Sequence, residues 1–483
     1  MTEDNSIPFS FLEETSRHPW WRYASNSTFQ FVVTLLSSVQ GIYIVYFYST
    51  RLGLQWNYIF ACLTIFAVYD AINDPLMGWL IDRNFKWTKK WGRRFPWIVI
   101  SIVPWCFSIY LLFTAPKVTV TPWPTFFWLL GSLFLYDTFG SLIGVNLGAL
   151  RQDLFRTNKE RRKFTYWFTY IDIAAQAAGF LLPSILLAAT GDNFVWMGAL
   201  VAGLGLIGAV LFLPGAREDR EVIDRYYNDQ GEDRPRPEFF KHLLSVLKQR
   251  SFIIAFIIMT AFNIGIGMLM SMGPFVSTFV LGFEPGGEMW IYIVFFSGTI
   301  ISVPLWMWYV KKTNNLKRAL VFGGLFLSIS YAFLSVSANL IYIYVIFFVC
   351  GMSMGSTWAF LWTIMMLDVT DDFVVRTRSG YKAIMVGIFA LLTRLVATID
   401  EGIITLVQNY TGFPVDVATL AELQNYILLN GGSLSAMLLG IRFMIGVIPG
   451  AILLIGTIIF WIFYPLTPEK VAENKQIMRE LNV

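Results

Sequence analysis

Twelve long apolar stretches, separated by shorter polar segments, run through the 483-residue chain. Each is long enough to cross the roughly 30 Å hydrocarbon core of a bilayer as a helix, which takes about 20 apolar residues. They lie at approximately 29–50, 57–81, 95–115, 124–150, 165–190, 192–214, 252–281, 287–310, 316–336, 339–367, 383–408 and 434–464. The pattern predicts an all-α membrane protein with twelve transmembrane helices.

One polar segment, 215–251, is longer than the others and falls between the sixth and seventh apolar stretches. It divides the predicted helices into two sets of six. The domain organisation that follows is a cytoplasmic N-terminal segment at 1–28, an N-terminal half at 29–214, a cytoplasmic linker at 215–251, a C-terminal half at 252–464 and a cytoplasmic tail at 465–483.

Composition supports the membrane assignment and excludes a soluble protein. Hydrophobic residues make up 56% of the chain and charged residues 14%, with a mean hydropathy of +0.59, far from the average soluble domain. Of the 36 Lys and Arg residues, 32 fall in the two termini and in the loops of one face. Since basic loops stay in the cytoplasm, both termini are predicted to be cytoplasmic. The net charge of +4 therefore reflects topology and indicates no nucleic-acid partner.

Two carboxylates lie one helical turn apart within the second apolar stretch. Asp70 and Asp74 share a helix face, with the Asn73 amide beside them. Each charged residue inside a membrane helix costs roughly 2.5 to 3.5 kcal/mol and usually marks an ion or proton path. A structural alternative is neutralisation by a basic residue on a neighbouring helix. The functional interpretation is a cation-binding site.

Basic loops occupy equivalent positions in the two halves: 82–94 after the second predicted helix, and 311–318 after the eighth. This similarity between the halves fits the architecture of major facilitator transporters, in which two six-helix halves enclose a substrate site near the middle of the membrane. In the first of these loops and the end of the helix before it, we expect a cytoplasmic gate formed by Gly78, Asp82, Arg83, Arg93 and Arg94.

Two motifs carry a more specific resemblance. The segments Asp70-Ala71-Ile72-Asn73-Asp74-Pro75-Leu76-Met77-Gly78 and Trp91-Gly92-Arg93-Arg94-Phe95-Pro96-Trp97 resemble a signature of the glycoside-pentoside-hexuronide:cation symporters, the melibiose permease family. Further similarity occurs at Glu160-Arg161, Asp368-Val369, Asp371-Asp372-Phe373, Thr393-Arg394 and Tyr464-Pro465. Several of these segments are most similar to the sodium-dependent lysophosphatidylcholine branch. The resemblance implies a twelve-helix major facilitator that couples solute uptake to a cation.

The resemblance adds two residues to the predicted cation site of Asp70, Asn73 and Asp74. Ser141, on the fourth predicted helix, matches a family threonine, and Arg394, on the eleventh, matches a family lysine. Sodium prefers oxygen ligands, and adjacent carboxylates favour uptake of either a proton or a metal ion. The guanidinium of Arg394 cannot deprotonate, so its expected role is a fixed counter-charge, with Asp172 as a candidate partner.

The predicted sugar site departs from the melibiose permease pattern. An aspartate, a tryptophan and an arginine of the family are matched here by Gly144, Leu147 or Gly148, and Phe168. The side chains expected around the substrate cavity are Asp137, Asn146, Phe168, Gln176, Trp358 and Trp362. For the aromatic members, simple packing or interfacial anchoring is the competing interpretation.

The expected function is cation-coupled symport of an organic solute, with sodium or a proton as the coupling ion and no other cofactor. A glycoside is the first substrate class by family, a lysophospholipid is the alternative, and a non-transporting receptor or scaffold is the third hypothesis. The only histidines, His18 and His242, lie in polar segments, and we expect no enzyme activity. We expect a monomer in the plasma membrane.

Overall fold

The computed structural model describes residues 18–81, 87–155, 157–228, 246–284, 286–377 and 398–480, with 388, 389, 392, 393 and 396 in addition. Throughout these residues the regular structure is helical, and they contain no strand. This confirms the prediction of an all-α protein.

Six long helices lie before the polar linker. They are α1 (Trp20–Tyr46), α2 (Trp56–Ile81), α3 (Phe95–Leu112), α4 (Trp123–Leu154), α5 (Asn158–Ala189) and α6 (Phe194–Ala216). A π-helical turn, Phe47–Arg51, continues α1. A short helix, Thr88–Trp91, lies between α2 and α3, and another, Arg220–Asn228, follows α6.

In the described residues after the linker, seven helices lie in the predicted spans. They are α7 (Arg250–Phe275), α8 (Glu288–Thr313), α9 (Leu316–Leu334), α10 (Leu340–Thr363), α11 (Thr398–Thr411), α12 (Leu434–Ile445) and α13 (Val447–Phe463). Gly446 separates α12 from α13, which together fill the last predicted span. Helices outside the predicted spans cover Thr370–Thr377, Leu420–Asn430 and Pro468–Glu480, and π-helical turns cover Val276–Val280 and Ile364–Val369.

Ten stretches within the described residues are long and apolar enough to cross a membrane. They correspond to ten of the twelve predicted spans. The other two are α2, which carries Asp70 and Asp74, and the eleventh span, of which α11 is the described part. The protein is therefore a multi-pass membrane protein.

The first helix begins at Trp20, well ahead of the predicted span at 29. Its early turns contain Asn26, a polar residue that the hydropathy pattern leaves outside the membrane. In the fold, the Asn26 amide donates to the Gly215 carbonyl at 3.1 Å and accepts from Arg151 Nε at 2.8 Å. Because tertiary partners satisfy its polar atoms, Asn26 is fully buried without an unmet hydrogen-bonding cost.

The described residues form two compact units that cut across α1 and α2. Unit 1 lies within Met1–Gln40, Val68–Pro116 and Phe127–Arg234, and unit 2 within Gly41–Ala67, Lys117–Phe126 and Pro235–Val483. In unit 1, α3 packs along α6. In unit 2, α10 packs against both α8 and α9, and α13 packs against α7 and α9.

Glycine allows the closest helix approach in unit 2. A methyl group at Gly351 of α10 would lie 1.9 Å from the Phe295 carbonyl oxygen of α8, and one at Gly298 would lie 2.3 Å from the Phe348 carbonyl oxygen. No side chain fits at either position. Small residues at helix contacts are typical of membrane proteins, where van der Waals packing drives helix association.

Candidate cation site

The predicted cation ligands of the second span lie on α2, in unit 1. Asp70 is 8% exposed and Asn73 is 1% exposed, while Asp74 is half-buried. The apolar sequence around them favours a membrane helix, and helical spacing places Asp70 and Asp74 one turn apart on one face. Sequence and local structure therefore agree on where these two carboxylates lie.

A hydrogen bond ties α2 to α4 at this level. The side-chain amide of Asn73 donates from Nδ2 to Asp137 Oδ2 at 2.8 Å, and both residues are buried. Asp137 is also a predicted residue of the substrate cavity. In the fold its carboxylate accepts a hydrogen bond from Asn73 of α2, so it is a candidate cation ligand as well.

Ser141 lies one helical turn after Asp137 on α4, and its hydroxyl interacts with the carboxylates of both Asp74 and Asp137. The two carboxylates also repel each other. The hydroxyl oxygen is buried, and the described residues offer it no hydrogen bond of ordinary geometry. We call Asp70, Asn73, Asp74, Asp137 and Ser141 the α2–α4 cluster.

Aromatic contacts brace the two helices beside this cluster. The Tyr69 ring of α2 stacks on the Phe134 ring of α4, with centroids 4.0 Å apart. The Tyr69 hydroxyl lies 2.6 Å from the Thr138 hydroxyl, which donates to the Phe134 carbonyl. These contacts hold α2 and α4 in the register that brings Asn73 to Asp137.

The donor set of the α2–α4 cluster fits a hard monovalent cation. It offers carboxylate oxygens from Asp70, Asp74 and Asp137, and the Ser141 hydroxyl. Because Asn73 Nδ2 is engaged by Asp137, Asn73 Oδ1 remains as the atom that could ligate an ion. Oxygen ligands of this kind suit hard cations. Among the described residues, no group of three or more His, Cys, Asp or Glu side chains is suited to a metal ion.

The expected counter-charge pair is described only in part. Asp172 on α5 accepts a hydrogen bond from Gln30 Nε2 of α1 at 2.8 Å. Arg442 on α12, the other cation within a predicted span, donates to the Ser335 carbonyl. Arg394 lies outside the described residues, so its role near the cluster stays a prediction.

The residues expected around the substrate cavity are distributed between the two units. In unit 1, Asn146 is buried and donates to the Leu142 carbonyl at 2.7 Å, Gln176 is half-buried, and Phe168 lies 5.4 Å from the Arg151 guanidinium. In unit 2, the half-buried Trp358 packs against Phe296, and the Trp362 side chain lies outside the described part of the chain. All of these assignments stay predictions.

The predicted gate segment contains an anion-binding turn. Glu218, just after α6, accepts hydrogen bonds from the backbone N–H groups of Arg93, Arg94 and Phe95 at 3.2, 2.6 and 3.0 Å. Gly92 has a φ of +92°, and a Cβ atom there would lie 2.4 Å from Glu218 Cδ. Glycine is therefore required by both the backbone conformation and the approach of the carboxylate.

Of the other predicted gate residues, Arg94 forms an ion pair with Asp153, with Arg94 Nη2 3.3 Å from Asp153 Oδ2. Gly78 is within α2, but its surroundings are outside the described contacts, and so are Asp82 and Arg83. The gate stays a prediction. Glu218 was missed because one acid among the alternating charges at 217–221 carries no distinctive sequence signal. Asp137 did carry one, since Asp137 and Ser141 on α4 repeat the four-residue spacing of Asp70 and Asp74.

The chain is similar in sequence to several known transporters. A family model described as MFS/sugar transport protein matches residues 26–468. A sodium-dependent lysophosphatidylcholine symporter 1 from Xenopus tropicalis is 23% identical over 88% of this chain and 84% of its own length. A putative glycoside/cation symporter, YagG, from Escherichia coli is 25% identical over 35% of this chain and 36% of its own length.

Among solved structures, a single-residue mutant of the nucleoside transporter NupG aligns with a TM-score of 0.59 at 12% identity, covering 92% of this chain and 99% of that one. At this identity the similarity concerns the fold alone. The proteins matched by sequence and by structure are transporters, and none of their names describes an enzyme.

Proposed function

Because the chain belongs to the MFS/sugar transport protein family, and is therefore a membrane transporter, we propose that a sodium ion bound in the α2–α4 cluster drives symport of an organic solute. One observation carries the proposal: the buried hydrogen bond from Asn73 to Asp137, which brings a carboxylate of α4 to the α2 segment that carries Asp70 and Asp74. A scaffold on the same fold would gain nothing from several costly carboxylates in its membrane interior.

The coupling ion follows from the donor set. Repulsion between the Asp74 and Asp137 carboxylates is relieved when a cation binds between them. A proton would neutralise one carboxylate but would have no use for the Ser141 hydroxyl oxygen or the Asn73 carbonyl oxygen. Sodium can use all of these atoms. The relative from Xenopus tropicalis is named as sodium-dependent, which supports sodium over the proton.

The test is uptake into proteoliposomes with and without a sodium gradient. Asp70→Asn and Asp74→Asn keep the side-chain shape but remove the charge that holds the ion, so each should abolish sodium-stimulated uptake without preventing membrane insertion. Asp416→Asn is the matched control, because Asp416 is half exposed and paired with Lys117 in unit 2. Full sodium-dependent uptake in both α2 variants would exclude this cation site.

For the substrate, we propose a lysophospholipid or a similar amphiphile. The relatives that span most of this chain are named as lysophosphatidylcholine symporters. The polar groups by which melibiose permease holds its sugar are replaced here by Gly144, Leu147 or Gly148, and Phe168. A sugar with several unpaired hydroxyls would lose about 1 to 3 kcal/mol for each buried group left without a partner.

A glycoside is the second candidate, supported by the sugar-transport description of the family and by the shorter similarity to YagG. Thermal-shift or calorimetric competition in sodium should therefore include lysophosphatidylcholine, α-galactosides and glucuronides. We expect saturable lysolipid binding that is lost in Asp74→Asn, and no melibiose binding. Micromolar, sodium-dependent melibiose binding would make a glycoside the favoured substrate class and a lysophospholipid the alternative. Binding of a solute without its transport would favour the receptor alternative.

We further propose a plasma-membrane location with both termini cytoplasmic, as the basic loops indicate. The native thiols Cys62, Cys106 and Cys350 are all buried, so single cysteines introduced on the surface can be labelled selectively. A cysteine at exposed Lys90 should react with a membrane-impermeant reagent only after the cells are permeabilised, and one at exposed Tyr410 should react in intact cells. Labelling at Lys90 in intact cells would invert the topology.

A further inference from the structure

A charged cavity of about 430 Å³ opens in unit 1, away from the α2–α4 cluster. It lies where the start of α1, the short helix Thr88–Trp91 and the chain after α6 come together. The side chains that matter for its chemistry are Arg22, Lys90, Arg217, Arg220, Trp21 and Trp91. The motif Trp91–Trp97 contributes Trp91 to this cavity, and the other walls come from separate parts of the chain that carry no motif.

Two acidic residues also line the cavity, and both are already engaged. The Glu218 carboxylate accepts from the three backbone N–H groups of the turn after Gly92. Both oxygens of Asp219 lie 2.8 Å from Arg22 Nη1. Neither acid is therefore available to neutralise further cations in the cavity wall.

The remaining cations have no such partner. Lys90, Arg217 and Arg220 are exposed, and the described part of the chain gives none of their side chains an acidic partner. Arg22 is 8% exposed, and its Nε has no hydrogen-bond partner among the described residues. The cavity thus combines unpaired positive charge with a buried donor that lacks an acceptor. That combination fits an anion with several oxygen acceptors, such as a phosphate group.

Tryptophan side chains at the rim indicate the source of the phosphate. Trp21 is 47% exposed and Trp91 is 50% exposed, and both line the cavity. Tryptophan is enriched at the level of lipid headgroups, where one part of its ring is wet and the other apolar. Basic clusters at the ends of membrane helices attract anionic lipids. We propose that this cavity binds the phosphate of an anionic phospholipid headgroup.

Unit 2 offers a useful contrast. A cavity of about 280 Å³ there is lined by one cation, Lys317, and one acid, Asp368. Lys317 Nζ donates to the Tyr464 carbonyl at 2.8 Å. The excess of unpaired cations is therefore a property of the unit 1 cavity, and not a general consequence of basic loops at helix ends.

The test is native mass spectrometry of the purified, detergent-solubilised full chain, titrated with dioctanoyl phosphatidylserine, with dioctanoyl phosphatidylcholine and with inorganic phosphate. The main variant is Arg217→Gln/Arg220→Gln, and the single variant Lys90→Gln carries the test if the double variant does not fold. Lys311→Gln/Lys312→Gln is the matched control, since it removes two exposed basic charges from the last turn of α8 in unit 2. A melting curve without lipid checks folding.

We expect saturable binding of one phosphatidylserine molecule, weakened roughly fivefold for each basic charge removed. The loss is then roughly 25-fold in the double variant, and affinity is unchanged in the matched control. The proposal would be overturned if the control variant lost as much phosphatidylserine affinity as the double variant. It would also be overturned if phosphatidylcholine bound as tightly as phosphatidylserine and the variants did not change its affinity. Inorganic phosphate should compete only at much higher concentration. If it binds as tightly as the lipid, the cavity is a site for a soluble anion.

Discussion

Asn73 on α2 donates its side-chain amide to Asp137 on α4 at 2.8 Å, and both side chains are buried. This single contact changes the composition of the candidate cation site. The site draws on two helices of the same unit, so a change in the spacing of α2 and α4 alters its ligand geometry. An ion bound there would in turn hold the two helices together.

Asp137→Asn should lower the apparent affinity of the transporter for sodium. The variant replaces a carboxylate that accepts from Asn73 with an amide that carries no charge. Hydrogen bonds to charged groups contribute about 1.5 to 3 kcal/mol, so the sodium concentration for half-maximal uptake should rise roughly ten- to hundredfold. Asp416→Asn, whose carboxylate pairs with Lys117 in unit 2, gives the comparison. If the sodium dependence of uptake is unchanged in Asp137→Asn, Asp137 is not a cation ligand and its assignment to the substrate cavity is favoured.

Ser141→Ala tests the hydroxyl ligand. Removal of one neutral oxygen ligand should reduce sodium affinity by roughly three- to tenfold, corresponding to about 0.5 to 1.5 kcal/mol, and Ser141→Thr should preserve it. Ser132→Ala removes a buried hydroxyl from the same helix and should leave the sodium dependence as it is. The measurement is uptake at graded sodium concentrations. A proton-only site would show no difference between Ser141→Ala and the wild type.

Gly92→Ala should lower thermal stability in detergent. It forces a positive φ on a residue with a side chain, and it places a methyl group against the Glu218 carboxylate. The expected cost is about 1 to 3 kcal/mol, seen as a fall in apparent melting temperature. Gly131→Ala on α4 meets nothing within 4 Å and serves as the control. Glu218→Gln should also melt earlier, because the three N–H groups lose a charged acceptor. Equal melting in all three variants would show that the turn is unimportant.

Arg394→Ala should reduce both uptake and melting temperature, and Arg394→Lys should retain part of the activity. Lysine replaces the charge of arginine but not its forked geometry. The prediction rests on the charge of Arg394 in an apolar segment and on its match to a family lysine. Wild-type melting and transport in the alanine variant would place Arg394 away from the membrane acids.

Several features of the fold and site followed from local sequence. Apolar stretches of sufficient length have to become helices in a bilayer, because every backbone polar group must be satisfied internally. The shared face of Asp70 and Asp74 follows from helical periodicity alone. The family resemblance also needed only short, ordered motifs. These properties depend on residues close together in the chain.

Other features depend on which distant residues the fold brings together. Asn26 looks too polar for a span, and it becomes part of α1 because Gly215 and Arg151 satisfy its polar atoms. Glu218 has no motif of its own, and it is held by a turn more than a hundred residues earlier in the chain.

Hydropathy and helical spacing, which are local properties of the sequence, predicted an all-helical membrane protein with a carboxylate pair on its second span, and short motifs predicted its family and Ser141 as a ligand. The tertiary structure brought Asp137 of α4 to Asn73 and placed four cations around the cavity near Trp21 and Trp91. The physical reason is that ligand sets form between helices. Their membership is fixed by helix register and spacing, which packing of side chains across the interface determines.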